Sequence, residues 1–152
     1  MIHRLTIRGP NDFRRDIPFH RGLNLVYGKR SESATAQSTC NSIGKSCVLW
    51  AIDFCLGAEL KKSARSGKKM LPGSVLGGWE FDLELDLGDA RITATRTVNL
   101  PNSIFVEGDF AQLPFPPNQG TAGTLPLRPF YDIASWQELL GVVLFDFPCP
   151  GQ

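Results

Sequence analysis

The chain has 152 residues, of which 42% are hydrophobic and 20% are charged; this predicts one globular domain and excludes wholesale disorder. The sequence has no apolar run long enough to span a membrane and no apolar amino-terminal stretch typical of a signal peptide, which predicts a cytoplasmic protein without a membrane partner. The net charge of +1 hides an asymmetry, since residues 1–70 carry 13 Lys and Arg against 5 Asp and Glu, whereas residues 71–152 carry 3 against 10.

The first part of the chain predicts three short strands and a long loop. Residues 2–8 alternate, residues 9–12 (Gly-Pro-Asn-Asp) have turn chemistry, and residues 14–19 form a second strand. Residues 22–28 form an apolar run closed by glycine, which is typical of a buried strand. Residues 29–43 are small and polar without a period, so they predict a loop.

A helix is predicted from Gly44, and Gly57 supplies its carboxyl-terminal stop. Its apolar residues recur at helical spacing on one face: Val48, Leu49, Ile52, Cys55 and Leu56. Cys47 and Cys55 are interpreted as small buried thiols of this helix. The four cysteines, which include Cys40 and Cys149, show no C-x-x-C spacing, so we expect neither zinc nor a disulfide framework.

The second half of the chain predicts an antiparallel layer followed by a helix. Residues 79–87 alternate strictly, Gly88-Asp89 is a two-residue hairpin turn, and residues 90–99 return with Ile92, Ala94 and Val98 on one face. Residues 104–107 suggest a third strand, which extends this layer over residues 79–109. Residues 110–134 predict a loop, and a capping box that begins at Ser135 opens a helix over residues 135–147, with Trp136 as a core anchor.

The tripeptide Gly44-Lys45-Ser46 carries the chemistry of a phosphate site. It lies at the predicted junction of a loop and a helix, where backbone N–H groups and the helix dipole attract phosphate oxygens. A lysine in this position reaches the β- and γ-phosphates, and the next hydroxyl ligates Mg²⁺. The pattern departs from a full Walker A motif, because Thr39 occupies the position of its first glycine and the nearest upstream glycine is Gly28.

Several segments together resemble the ATPase head of SMC/RecF-type coiled-coil proteins: residues 4–7 leading to 12–14, then residues 19–28, 41–46 and 52–57. The likeness extends to an uncharacterised bacterial group that includes components of ABC-three-component systems. The resemblance implies an α/β fold of P-loop (ABC/SMC head-like) type, present as an incomplete amino-terminal lobe with an antiparallel β hairpin layer. Residues 1–60 would be the nucleotide-binding strand-loop-helix core of this single partial domain.

The resemblance also implies the ligands and the residues that bind them. ATP and Mg²⁺ are the expected cofactors, with Lys45 on the phosphates and Ser46 on Mg²⁺, and Arg14 approaches the nucleotide phosphates or is a surface arginine. The remaining residues of the expected set are Asn41, Ser42, Ile43 and Gly44, which offer backbone donors, and Cys47.

Several motifs of a complete head do not occur in the sequence. There is no Walker B strand ending in Asp-Glu, no Leu-Ser-Gly-Gly-like signature and no heptad repeat, and Asp53 lies within the predicted helix. We therefore expect a fragment without catalytic residues, whose second head lobe and coiled coil lie outside this chain. Such heads act as homodimers, hydrolyse ATP only when complete and work in DNA maintenance or defence. A non-catalytic interaction module and a small P-loop kinase are the alternatives.

Two charged segments have both a functional and a structural interpretation. Residues 61–69 hold five Lys and Arg, which suits a DNA backbone or a solvated loop. The alternating carboxylates of Glu80, Asp82, Glu84 and Asp86 suit either a cation site or the solvent-facing side of a strand.

Overall fold

The computed structural model describes residues 1–26, 45–58, 76–120 and 128–148. These ranges form one six-stranded antiparallel sheet, with strand order β2-β1-β3-β4-β5-β6, and two helices. In chain order the elements are β1 (Ile2–Arg8), β2 (Arg14–Pro18), α1 (Lys45–Cys55), β3 (Glu80–Leu87), β4 (Ala90–Thr97), β5 (Ser103–Gly108), β6 (Phe130–Asp132) and α2 (Ile133–Phe145).

The hairpin predicted from strict alternation is confirmed. β3 and β4 pair from Glu80 opposite Thr97 to Leu87 opposite Ala90, so that Gly88 and its neighbour form a two-residue turn. Gly88 has a φ of 59°, a left-handed conformation that glycine adopts without steric cost. β5 then pairs with β4, as the predicted third strand of the layer.

The first two strands form a second hairpin, which joins the sheet through β1. Asn11 and Asp12 occupy the centre of its turn and both have a φ of 57°, as in the type I′ turns that match the twist of the flanking strands. β1 pairs with β2 on one side and β3 on the other. The amino-terminal strands thus extend the later antiparallel layer.

Both helices cover the same face of the sheet. Arg96 lies opposite Phe81 and Ile104, and Ile104 lies opposite Tyr131, so these side chains share one face. In α1, Phe54 contacts Phe81 edge-on, and in α2 Trp136 contacts Tyr131. We call this the helix-covered face. Its buried apolar members from the strands include Leu5, Leu83, Leu85, Ile92, Ala94 and Val106.

The opposite face carries ion pairs between neighbouring strands, and we call its central part the ionic face. It consists of His3, Arg4, Arg8, Glu80, Asp82, Glu84, Asp86 and Arg91. Glu84 binds both Arg4, at 2.8 Å, and Arg91, at 2.9 Å. The alternating carboxylates of β3 therefore have basic partners, which supports their structural interpretation over a cation site.

The strand predicted over residues 22–28 is wrong in its described part, Gly22 to Val26. These residues form no strand, and Leu23 and Leu25 are 93% and 77% exposed. The Asn24 side chain accepts a hydrogen bond from the His20 N–H and donates to the carbonyl groups of His20 and Gly22. Such local side-chain bonds compete with strand pairing. The buried strand expected before the phosphate loop is thus not formed by the described residues.

The predicted cap of the second helix is also wrong. Asp132 caps α2, because its carboxylate accepts hydrogen bonds from the N–H and the hydroxyl of Ser135, both at 2.9 Å. The helix consequently begins at Ile133, directly after β6, and the predicted loop ends earlier. The predicted role of Trp136 as a core anchor is confirmed, since its side chain is fully buried.

Candidate nucleotide-binding site

The predicted phosphate-binding residues lie partly within the described structure. Lys45 begins α1, and the next two residues, Ser46 and Cys47, are exposed in its first turn. Asn41, Ser42, Ile43 and Gly44 lie outside the described residues, as does the predicted loop over residues 29–43. The structure therefore brings together Lys45, Ser46 and Cys47 at the amino end of one helix.

The amino end of α1 has the electrostatics of an anion site. The first N–H groups of a helix have no intrahelical partner, and the helix dipole concentrates positive charge there. The first turn of α1 contains no acidic residue that would neutralise this charge. Ser46 offers a hydroxyl, which is an oxygen ligand of the kind that Mg²⁺ prefers. Free helix N–H groups and a serine hydroxyl are the kinds of group that a phosphate with its magnesium ion would require.

The body of α1 packs on the sheet largely through the predicted side chains, since Cys55 is buried and Val48, Ile52 and Leu56 are partly buried against the core. Ala51, Phe54 and Cys55 are buried against the helix-covered face, whereas Leu49, expected on the apolar face, is 66% exposed. Asp53 is exposed, as expected of a solvated helix position. The predicted face is thus confirmed apart from Leu49, and Ala51 and Phe54 belong to it as well.

Arg14 forms an ion pair with a residue of its own strand. It lies on the edge strand β2 and its guanidinium binds Asp16 through two hydrogen bonds of 3.0 and 3.2 Å. This pairing raises the pKa of Arg14 and lowers the pKa of Asp16. The described contacts pair Arg14 with a carboxylate, and its approach to the nucleotide phosphates stays a prediction, because residues 41–44 lie outside the described residues.

The two described cysteines differ from each other. Cys55 is fully buried and its thiol donates to the carbonyl of Phe81 at 3.5 Å; burial raises the pKa of this thiol. Cys47 is exposed, so the prediction of a buried thiol is wrong for that residue. Cys40 and Cys149 lie outside the described ranges. Among described side chains, no group of three or more His, Cys, Asp or Glu is arranged to hold a metal ion.

Other surface features lie away from the predicted site. An open cleft of about 360 Å³ is lined by residues of the amino terminus and of the segment after β2, among them Phe19, His20 and Arg21. None of the predicted site residues lines this cleft. The basic segment over residues 61–69 lies outside the described part of the chain.

Sequence reasoning missed Arg96, a buried charged residue that contacts the body of α1. Its guanidinium lies 4.1 Å from the centre of the Phe54 ring, and its side chain is 1% exposed. A signal was present in the sequence. The apolar positions Ile92, Ala94 and Val98 of the return strand alternate, and Arg96 interrupts them on the face that they share.

Comparison with known proteins identified no relative of the chain. None of the protein-family models, curated proteins or solved structures compared with the chain matches it. Among the described residues, no helix combines the length and the apolar character needed to cross a membrane.

Proposed function

We propose that the chain binds ATP and Mg²⁺ through the amino end of α1, as the first lobe of an SMC/RecF-like P-loop ATPase head. One observation supports this most directly. The residues Lys45 and Ser46, which follow Gly44 in the sequence, begin an 11-residue helix whose first turn contains no acidic residue, and Ser46 and Cys47 in that turn are exposed. A lysine, a hydroxyl and free N–H groups at the start of a helix are the groups that a P-loop uses to bind a triphosphate.

The remaining parts of the proposal concern the complete protein. Hydrolysis requires a residue that orients the attacking water and charge stabilisation at the γ-phosphate. Lys45 and Ser46 supply neither the water-orienting carboxylate nor an opposing signature motif. The proposal therefore assigns turnover to a homodimer of complete heads in the cytoplasm, acting on DNA, and expects no ATP turnover from this chain alone.

The test is the substitution Lys45→Ala with nucleotide binding measured by calorimetry. Loss of a charge-assisted hydrogen bond of about 1.5–3 kcal/mol should weaken the binding of a non-hydrolysable ATP analogue with Mg²⁺ by roughly ten- to a hundredfold. Arg15→Ala is the control, because it removes one positive charge from an exposed position on β2.

Two outcomes contradict the proposal. Equal affinities in the wild type and in Lys45→Ala would remove Lys45 from the site. A wild-type chain that binds no analogue at millimolar Mg²⁺-nucleotide would favour the non-catalytic interaction module. A phosphate-release assay completes the test, since turnover that disappears in Lys45→Ala would favour the kinase alternative.

The arginines of the second half weigh against that kinase alternative. A kinase lid needs arginines free to close over the phosphates, and residues 71–152 contain three. Arg91 binds Glu84, Arg128 binds Glu107, and Arg96 is buried against α1. All three are thus engaged within the sheet and its connections.

A further inference from the structure

The carboxyl end of α1 is closed first by its own backbone. The N–H of Ala58 donates to the carbonyl of Asp53, and the N–H of Gly57 donates to the carbonyl of Phe54, which together form a Schellman motif. Gly57 has a φ of 104°, and a β-carbon there would lie 3.1 Å from the side chain of Gln137. The chain after the helix is therefore held tightly against α2.

Three side chains from other elements then bind the carbonyl groups of this end. Arg96 donates to the carbonyl oxygens of Phe54 and Ala58, the latter at 2.8 Å. The indole N–H of Trp136 donates to Cys55 at 3.1 Å, and the side-chain amide of Gln137 donates to Gly57 at 3.0 Å. We call Arg96, Trp136 and Gln137 the α1 anchor.

Arg96 brings a buried positive charge to this anchor. Among the described residues no carboxylate lies within ion-pair distance of it, and its partners are carbonyl oxygens and the Phe54 ring. Burial lowers the pKa of Arg96 to about 10, so the guanidinium keeps its charge at neutral pH. The negative end of the helix dipole stabilises a cation at this position. Arg96 also donates to the carbonyl of Pro101, which ties α1 to the β4–β5 turn.

We propose that the α1 anchor positions α1 on the sheet. It thereby sets the direction of the amino end of the helix, where Lys45 and Ser46 lie. The functional part of this inference rests on the proposed function. An 11-residue helix is about 16 Å long, so a swing of about 10° about its carboxyl end moves its amino end by about 3 Å. Phosphate contacts tolerate no such displacement, because hydrogen bonds form only over a narrow range of distances.

The first test measures the orientation of α1 in the ligand-free 152-residue chain. Residual dipolar couplings of the backbone N–H groups give the direction of α1 relative to the sheet. In Arg96→Met we expect the couplings of α1 to depart from the alignment tensor of the sheet. Trp136→Phe, which keeps an aromatic ring and removes the indole N–H, should give a smaller departure in the same direction.

The control is Val106→Ala, a cavity substitution in the core part of β5 that leaves the donors of the anchor in place. Its melting temperature should fall, while α1 keeps the wild-type orientation. The inference is overturned if α1 keeps its orientation in both anchor variants. It is equally overturned if Val106→Ala reorients α1 as much as Arg96→Met does, because any loss of core packing would then reorient the helix.

The second test measures the affinity for the ATP analogue with Mg²⁺. If only about one molecule in ten of Arg96→Met holds α1 in the orientation that binds nucleotide, the apparent affinity weakens about tenfold. Arg96→Lys keeps the positive charge and should recover part of that affinity. Unchanged affinity in a reoriented Arg96→Met would overturn the functional part. A wild type that binds no analogue would contradict the proposed function instead, and the couplings would still decide whether the anchor sets the orientation of α1.

Discussion

The two faces of the sheet are held by different interactions, although neighbouring residues of the same strand supply both. On the helix-covered face Phe81 and Leu83 are 3% and 0% exposed and belong to the apolar core. On the ionic face the side chains of Asp82 and Glu84 remain 16% and 20% exposed and bind arginines of β1.

The two faces therefore contribute differently, one mainly to stability and the other mainly to strand register. Apolar burial is non-directional and contributes about 25 cal/mol per Å², so the helix-covered face should supply most of the stability. Ion pairs near the surface contribute about 0–1 kcal/mol each. Their partners are nevertheless specific, since Arg4 lies directly opposite Glu84 and Arg8 opposite Glu80. If the pairing of β1 with β3 slipped by one residue, these charges would turn towards the helices. The ionic face therefore disfavours such a change of register.

The largest effect is expected from Leu83→Ala on the helix-covered face. Loss of a fully buried leucine leaves a cavity and should lower the free energy of unfolding by about 2–5 kcal/mol. Denaturant unfolding followed by circular dichroism measures this. Leu144→Ala is the control, because Leu144 is 47% exposed on α2 and its truncation should cost less than about 0.5 kcal/mol. Equal losses in the two variants would contradict the assignment of the core to this face.

A smaller effect on the free energy of unfolding is expected for Asp82, which is adjacent to Leu83 on β3 but lies on the ionic face. Arg8 binds both carboxylate oxygens of Asp82, at 2.9 and 2.7 Å, and Thr95 also donates to Asp82. A double-mutant cycle of Asp82→Asn and Arg8→Gln should give a coupling of about 0.5–1 kcal/mol, which decreases in 1 M salt because surface charges are screened. A coupling as large as the loss in Leu83→Ala would remove the contrast between the faces.

Local patterns were sufficient for parts of the fold. The alternation of β3 and the Gly88 turn predicted the hairpin, and Gly57 predicted the end of α1, because in each case the signal and the structure involve adjacent residues. The prediction failed where partners are distant in sequence. Leu49 follows the helical period, yet whether it is buried depends on how α1 meets β3 and β4.

For the candidate site, the structure bears only on where its described residues lie. Lys45 and Ser46 do open a helix, as the motif implies. Arg14 was predicted near the phosphates from the resemblance alone, and its carboxylate partner Asp16 is a nearer explanation of its position. The α1 anchor could not be derived, since Arg96 contacts Phe54 across 42 residues and Trp136 contacts Cys55 across 81.

The smallest expected effect concerns the edge of the ionic face at the amino terminus. The side chain of Asp86 binds the His3 ring at 2.7 Å and lies 3.7 Å from the terminal amino group. The hydrogen bond with His3 and the nearby positive charges lower the pKa of Asp86 from its usual value of 3.8. A carboxylate with a lowered pKa in the folded state stabilises the protein above the unfolded-state pKa, and this contribution is lost as the pH falls through the folded-state pKa.

The free energy of unfolding should therefore fall as the pH decreases below about 4, and Asp86→Asn should reduce the slope of that fall by at most about one proton. Part of the slope should remain, because the pKa values of Asp16 and Asp132 are also lowered. Denaturant unfolding at a series of pH values between about 2 and 5 measures the slope. Asp89→Asn is the matched control, since it removes one exposed negative charge from the adjoining β3–β4 turn. Equal changes of slope in the two variants would show that the pairing with His3 adds nothing beyond net charge. The ionic face would then act through net charge at this edge, and its role in register would rest on the pairs made by Arg4 and Arg8 of β1.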